Sequence, residues 1–247
     1  MTDTTNKEQD YDKLAQLTST LPIDEKDTRD YQRSNFEDLF VDNASYDNAS
    51  KKIFKWDEQT KLENQGRYPY CASAGICNII NGFNLVEFRD LGQPYENLGF
   101  FDFHKRYCEP RNTCSFGRTK QSALAQAKQE GKIEGYVRIP QDKSMGVKIV
   151  QTLDSGYLVY ITLVNGNRNE THKTKIYSQK VVDPSDTRSI ENTRHAVTIV
   201  DRIMFNDISC FKVANSWGTD FGDNGYFYIP VDSVENLVDR KSTRLNS

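Results

Sequence analysis

The stretch Asn64–Phe83, NQGRYPYCASAGICNIINGF, decides how the rest of the chain is read. From Cys71 onward its apolar residues recur at helical spacing, which predicts a helix that begins at Cys71: Ile76, Ile79, Ile80 and Phe83. Small residues fill the first turns and indicate a buried helix in close contact with another element. Gly82 is predicted to end it.

A cysteine that opens a helix can be a nucleophile. The thiolate is the attacking species, and the free thiol has a pKa of about 8.5. Unpaired N–H groups at a helix N-terminus and a neighbouring imidazolium both lower that pKa. The alternative, a small apolar core residue, is the commoner role for an isolated cysteine. Gln65, six residues before Cys71, favours the nucleophile because its side-chain amide can donate to an oxyanion beside the sulfur.

The second half of the chain supplies a base for this thiol. His195 opens the predicted strand RHAVTIV, and Asn215 follows in VANSWGTDFGDNGYFYI. The Asn215 oxygen can accept from one ring nitrogen of His195, which fixes the tautomer and aims the other nitrogen at the thiol. Trp217 can cover that bond. Alone, His195 could equally be a half-buried strand residue. His104 and His172 lie in polar contexts and are predicted to be surface residues.

Composition divides the chain into a helical half and a β-rich half. Residues 1–46 are charged and predicted to be an extension, partly disordered or draped over the domain. Residues 47–150 are predicted to form a helical subdomain with a second helix at TKQSALAQAKQEG, closed by Gly131. Residues 151–238 are predicted to be β-rich, with strands at GYLVYITLV, TKIYSQKVV, HAVTIVDRIMF, ISCFKVAN and GYFYI. A tight turn at Gly222–Gly225 precedes the last strand.

The overall composition excludes several classes of protein. The formal net charge of the 247 residues is -3 and the basic residues are spread along the chain, so no nucleic-acid partner is expected. No run approaches the roughly 18 apolar residues of a membrane span. The N-terminus lacks the apolar run of a signal peptide, and we therefore expect a cytoplasmic location. We also expect a monomer.

Five cysteines, an odd number, do not form a disulfide framework. Cys108 and Cys114 are close enough in sequence to pair, but a reducing compartment would keep them as thiols. With three histidines and no CxxC pair, no metal site is expected.

Four blocks in this order resemble the papain family of cysteine peptidases: NQG, a helix-opening Cys six positions after the Gln, HAV, and NSWG followed by GDNGY. The stretch NSWGTDFGDNGYFYI is the most specific of them. The resemblance covers roughly residues 52–230 and extends to the shorter bacterial and viral members, which also share the segment PIDEKDTRDYQ near the N-terminus.

The resemblance implies an α+β fold with a helical left domain, a β-barrel-like right domain and an active-site cleft between them. Cys71 would attack a peptide carbonyl, while its backbone N–H and Gln65 hold the oxyanion. His195 would protonate the leaving amine and then activate water, oriented by Asn215. Supporting roles fall to Trp217, Ser216 and Gly66. Neither cofactor nor metal is implied, and the partner would be a peptide or protein substrate.

The chain departs from the family pattern around the implied cleft. Tyr68 stands where the family has a cysteine paired to a Gly-Cys-x-Gly-Gly loop, of which Thr113–Gly117 is the remnant. Ala72 replaces the Trp that follows the nucleophile. Arg194 replaces the common Asp before the histidine and is expected to disfavour protonation of His195. The residues predicted to contact substrate are Tyr70, Ala196, Arg194 and Gly117.

Two other functions stay open on sequence alone. One is an acyl-transfer relative (transpeptidase, amidase or isopeptidase), because these enzymes share the acyl-enzyme. The other is a non-catalytic binding protein with the papain fold. The extension is too short for the family's usual inhibitory propeptide, although an intramolecular inhibitor also stays open. Asp239–Ser247, DRKSTRLNS, resembles the translation of a sequencing adapter and is predicted to be a non-native tail.

Overall fold

The computed structural model describes residues 54–66, 68–109, 116–165, 193–205 and 207–237. In these ranges the helices are α1 (Cys71–Asp90), α2 (Phe100–Cys108), α3 (Lys120–Gln129), α4 (Met145–Asp154) and the short α5 (Val234–Leu237), which a 3-10 turn at Val231–Ser233 precedes. The strands are β1 (Val159–Asn165), β2 (Thr193–Phe205), β3 (Ile208–Ala214) and β4 (Tyr226–Pro230). The predictions for residues 1–46, TKIYSQKVV, His172, Cys114 and the tail lie outside the described residues.

Helix α1 is the central helix, and its predicted start at Cys71 is confirmed. Every residue from Cys71 to Gly82 is buried. The predicted end at Gly82 is wrong, because the helix continues to Asp90 and closes at Gly92, whose φ is +63°. There the Gly92 N–H donates to Arg89 O at 3.0 Å and the Gln93 N–H to Phe88 O at 2.8 Å, which is a Schellman ending.

Gly82 has a packing role instead. The indole of Trp56 lies against the helix there so closely that a Cβ on Gly82 would overlap it. The indole N–H of Trp56 donates to the Tyr226 hydroxyl of β4 at 3.0 Å. Trp56 thus joins the middle of α1 to the sheet.

Helix α3 confirms the second predicted helix and its ending. The Thr119 side chain caps it by accepting from the Ser122 N–H at 3.1 Å. Gly131, at φ +66°, donates to Lys128 O at 3.0 Å, and the next N–H donates to Ala127 O at 2.8 Å.

The four described strands form one antiparallel sheet in the order β1-β2-β3-β4. Strand β2 carries His195 and pairs with both β1 and β3. Leu163 of β1 lies opposite His195, and Ala214 of β3 lies opposite Thr198. The predicted turn before β4 is confirmed, since Gly222, Asn224 and Gly225 have φ values of +59°, +54° and +91°.

The two faces of the sheet bury different elements. Helix α4 packs on one face through Met145 and Ile149, in a core with the alternating apolar residues of all four strands. Helix α1 packs on the other face, where the Thr198 hydroxyl donates to Gly75 O at 3.1 Å and the Tyr160 hydroxyl donates to Ala72 O. Helices beside an antiparallel sheet confirm the α+β class, while the division at residue 150 stays a prediction.

No helix in the described ranges is both long and apolar enough to cross a membrane.

Candidate active site

His195 and Asn215 meet through their side chains, as the sequence predicted. The His195 Nε2 and the Asn215 Oδ1 are 2.6 Å apart, and both residues are buried. A carboxamide oxygen only accepts, so Nε2 carries the proton and Nδ1 is the nitrogen with the lone pair. The indole of Trp217 stacks on the imidazole, with ring centroids 4.4 Å apart and planes 24° from parallel. The pair is therefore held in one tautomer beneath an aromatic cover.

Ser216 connects this pair to Gln65. Its backbone N–H donates to Asn215 Oδ1 at 2.9 Å, and its hydroxyl donates to Gln65 Oε1 at 2.5 Å. The Gln65 N–H donates in turn to Ser216 O at 2.8 Å. Gln65 is consequently fixed, through both its backbone and its side chain, to the residue that follows Asn215.

These contacts hold the side-chain amide of Gln65 in one orientation. One of its two N–H bonds is used at 2.8 Å by Tyr68 O, and an amide nitrogen has a second hydrogen. The turn that follows depends on Gly66, whose φ is +55° and whose N–H donates to Asn64 Oδ1 at 3.0 Å. Asn64 also forms a β-bridge with Trp217, so the Gln65 turn and the cover over His195 are a single unit.

Cys71 is the first residue of α1 and is buried. The first helical hydrogen bond runs from the Ala74 N–H to Tyr70 O at 2.9 Å. The N–H groups of a first helical turn have no acceptor within the helix and give that end a partial positive charge. Cys71 and Ala72 share a buried apolar cluster with Ala196, the neighbour of His195 on β2. The start of the helix therefore packs beside the start of the strand that carries His195.

The four residues predicted to contact substrate are all buried in this structure: Tyr70, Gly117, Arg194 and Ala196. Tyr70 stacks on His104, and Ala196 belongs to the cluster that includes Cys71. Their predicted contacts with substrate stay predictions.

His104 is a residue that the sequence interpretation misplaced. The prediction of a surface histidine is wrong, because its side chain is 0% exposed. Burial, together with the nearby charge of Arg118, lowers the pKa of His104 to about 4. A usable signal was present, since Phe100, Phe103 and Tyr107 define an apolar face at helical spacing and His104 adjoins it.

Two of the three other cysteines in the described ranges have raised thiol pKa values, unlike an activated nucleophile. Cys77 and Cys210 are buried and free. Burial raises the pKa of Cys77 well above its ordinary value and also raises the pKa of Cys210. Both are expected to stay protonated and unreactive near neutral pH.

The comparison with models of protein families identifies one family. A sequence model described as "Papain family cysteine protease" matches residues 40–243. No curated protein matches the chain in sequence. Xylellain, a cysteine protease from Xylella fastidiosa, is similar in structure with a TM-score of 0.51 and 17% identity, over 89% of this chain and 92% of xylellain.

Two precursor structures are similar as well. Digestive procathepsin L2 proteinase from Tenebrio molitor larval midgut gives a TM-score of 0.53 and 19% identity, over 86% of this chain and 72% of that one. The proform of the ragweed pollen cysteine protease Amb a 11 gives a TM-score of 0.51 and 17% identity, over 80% of this chain. The chain spans only 65% of that proform. At these identities the similarity is one of fold.

Proposed function

The chain belongs to the papain family of cysteine proteases, and from that membership we propose that it is an endopeptidase that cleaves peptide bonds through a thiolate at Cys71. The family and the fold support a peptidase and hydrolase. The observation that carries the residue assignment is the hydrogen bond of 2.6 Å between His195 and Asn215, tied through Ser216 to Gln65.

Cys71 is suited to the role of nucleophile by its position. It opens α1, where the N–H groups of the first turn have no acceptor within the helix and stabilise a thiolate. The packing of Ala72 against Ala196 and of Gly75 against Thr198 keeps that end of the helix beside β2. Cys77, on the same helix but with a raised pKa, lacks these advantages.

His195 is suited to the role of base and acid by its tautomer. With Nε2–H engaged by Asn215, Nδ1 is the atom that takes the thiol proton and later returns it. The imidazolium formed in between keeps its Nε2–H bond to Asn215, so the ring does not need to turn during the cycle. Trp217 shields that bond from water.

The reaction follows from these positions. The Cys71 sulfur bonds to the carbonyl carbon, and the carbonyl π electrons move to oxygen, where the Cys71 N–H and the second Gln65 N–H stabilise the charge. The tetrahedral intermediate collapses, the C–N bond breaks, and Nδ1–H of His195 protonates the amine. Water, deprotonated by the same nitrogen, then attacks the thioester, and the carboxylic acid leaves as Cys71 is regenerated.

Alkylation by iodoacetamide near pH 7, mapped by peptide mass spectrometry, tests the assignment. We expect Cys71 to react at least about tenfold faster than Cys77 and Cys210, which serve as internal controls with raised pKa values. His195→Ala is expected to remove that preference, and Cys71→Ala is expected to abolish cleavage of a mixed peptide library. Equal labelling of the three thiols would contradict the assignment.

A further inference from the structure

His104 occupies a position from which it touches both sides of the proposed nucleophile. Its imidazole is stacked on the ring of Tyr70, the residue before Cys71, with centroids 3.7 Å apart and planes 16° from parallel. Its Nδ1 lies 2.8 Å from the hydroxyl of Ser73, two residues after Cys71. One buried ring on α2 therefore contacts the residue before Cys71 and the second residue after it.

The other ring nitrogen reaches a third segment. His104 Nε2 lies 3.2 Å from the carbonyl oxygen of Phe116, the residue before Gly117. A carbonyl oxygen only accepts, so Nε2 carries the proton, Nδ1 is the acceptor, and the Ser73 hydroxyl donates. A single neutral tautomer satisfies both bonds, and burial favours the neutral form.

His104 ties the segment that begins at Phe116 to the start of α1. Residues 110–115 lie outside the described ranges, so Phe116 and Gly117 open the next described stretch. Tyr68 stands where the resemblance to the family would place a cysteine bridged to this loop. One link between Phe116 and the Cys71 turn in this chain runs through an imidazole and its two hydrogen bonds.

We propose that His104 is a positioning residue that sets the distance between the nucleophile Cys71 and the segment beginning at Phe116, whose Gly117 is predicted to contact substrate. This inference rests on the proposed peptidase function and adds a residue to it. The described contacts of the imidazole are with Tyr70, Ser73 and Phe116. The imidazole acts through Phe116 on one side, and through Ser73 and Tyr70 on the other.

Three variants separate the parts of this arrangement. His104→Phe keeps a ring to stack on Tyr70 and loses both hydrogen bonds. His104→Gln can still donate to Phe116 O from a nitrogen near the Nε2 position, and Ser73→Ala removes one hydroxyl only. Thr152→Val is the matched control, because it removes a buried hydroxyl that bonds Lys148 O in α4 and has no described contact with the site.

The readouts are KM and kcat on a peptide with several residues on the amino side of the cleaved bond, and the iodoacetamide rate at Cys71. For His104→Phe we expect KM to rise about tenfold, with the iodoacetamide rate changed less than about twofold, since the small reagent does not need the Gly117 segment. His104→Gln should recover most of the KM. Thr152→Val should change neither readout.

The outcomes are distinguishable. If His104→Phe raises KM and lowers the alkylation rate by the same factor, or changes neither, the positioning role is overturned while the peptidase assignment stays intact. A wild-type chain that neither cleaves peptides nor alkylates selectively at Cys71 overturns the peptidase and this inference with it. If His104→Phe does not fold, judged by far-UV circular dichroism, Ser73→Ala and His104→Gln decide: an unchanged KM in Ser73→Ala together with a tenfold rise in His104→Gln contradicts the proposal.

Discussion

The indole of Trp217 lies nearly parallel to the imidazole of His195, 4.4 Å from centroid to centroid, and it also meets Phe221 edge-on at 5.0 Å. The stack covers the bond between His195 and Asn215 from one side. A hydrogen bond in a low-dielectric environment is stronger than one reached by water, so this cover bears directly on the orientation of the base.

Trp217→Leu tests the cover. We expect kcat on a peptide substrate to fall about tenfold, because water gains access to the His195–Asn215 bond. Phe205→Leu is the matched control, since Phe205 stacks on Tyr228 at 4.6 Å in another part of the sheet. A similar loss of kcat in both variants would point to general loosening of the sheet rather than to the cover.

Asn215→Ala removes the acceptor for His195 Nε2–H and for the Ser216 N–H. With the tautomer no longer fixed, kcat/KM is expected to fall about 100-fold or more. Asn81→Ala is the control, because Asn81 is a buried asparagine that holds both backbone groups of Leu98. It should lower the melting temperature and leave the alkylation rate of Cys71 unchanged. Activity within twofold of wild type in Asn215→Ala would remove the orienting role.

Gln65→Ala should lower kcat about 100-fold while KM stays within a few-fold of wild type, because an oxyanion donor acts mainly at the transition state. Gln121→Ala provides a second buried glutamine for comparison, located in the first turn of α3. Steady-state kinetics of the two variants would decide. A rise in KM with unchanged kcat in Gln65→Ala would assign Gln65 to ground-state binding instead.

Gly82→Ala sets helix propensity against packing. Alanine in a helix interior gains roughly 0.5–1 kcal/mol over glycine, while overpacking a filled contact costs about 1–3 kcal/mol. The Cβ would overlap the Trp56 ring, so we expect a net loss of about 1–2 kcal/mol in the free energy of unfolding by urea. Gly135→Ala, where a Cβ meets nothing within 4 Å, should stay within about 1 kcal/mol of wild type. An increase in stability for Gly82→Ala would show that Trp56 can move away.

The depressed pKa of His104 makes stability depend on pH. Its folded value of about 4 lies below its usual 6.5, so the unfolded chain binds more protons between these values. The stabilisation is complete above about pH 6.5 and is lost as pH falls towards 4, a change of about 3 kcal/mol in the free energy of unfolding. Arg118, the charged neighbour, keeps its charge throughout, whereas Glu63, whose pKa burial raises, titrates with the opposite sign.

The measurement is the difference in unfolding free energy between wild type and His104→Gln from pH 7 to pH 4. Subtracting the two curves removes Glu63 and the other shared groups. A difference that is constant over this range would mean that His104 is as easily protonated in the folded protein as in the unfolded chain.

The sequence predicted the parts of the fold that local patterns encode. The start of α1, the whole of α3 with its Gly131 ending, and β1 to β4 follow from periodicity, small residues and turn residues. Helices α2 and α4 were missed because aromatic and β-branched residues in FFDFHKRYC and MGVKIVQTLD are weak helix signals on their own. Tertiary packing against α1 and the sheet fixes both as helices.

The wrong interpretations share a cause. Gly82 and His104 were judged by their neighbours in the chain, while their roles come from residues far away: Trp56 fills the space beside Gly82, and Ser73 and Phe116 satisfy His104. The hydrogen bond between His195 and Asn215 was predictable because the motifs HAV and NSWG contain these two residues. The tie from Ser216 to Gln65 was not, since nothing local relates two positions 151 residues apart.

That separation has a consequence for the order of synthesis. The ribosome makes Cys71 and Gln65 long before β2 and the turn at Ser216, and without those later segments the thiol has no base and the amide has no anchor. On the proposed assignment, a nascent chain whose synthesis stops before Asn215 cannot cleave itself or other polypeptides. The active site would form only when the last strands pack against the rest of the protein. The nascent polypeptide is thereby protected from self-cleavage.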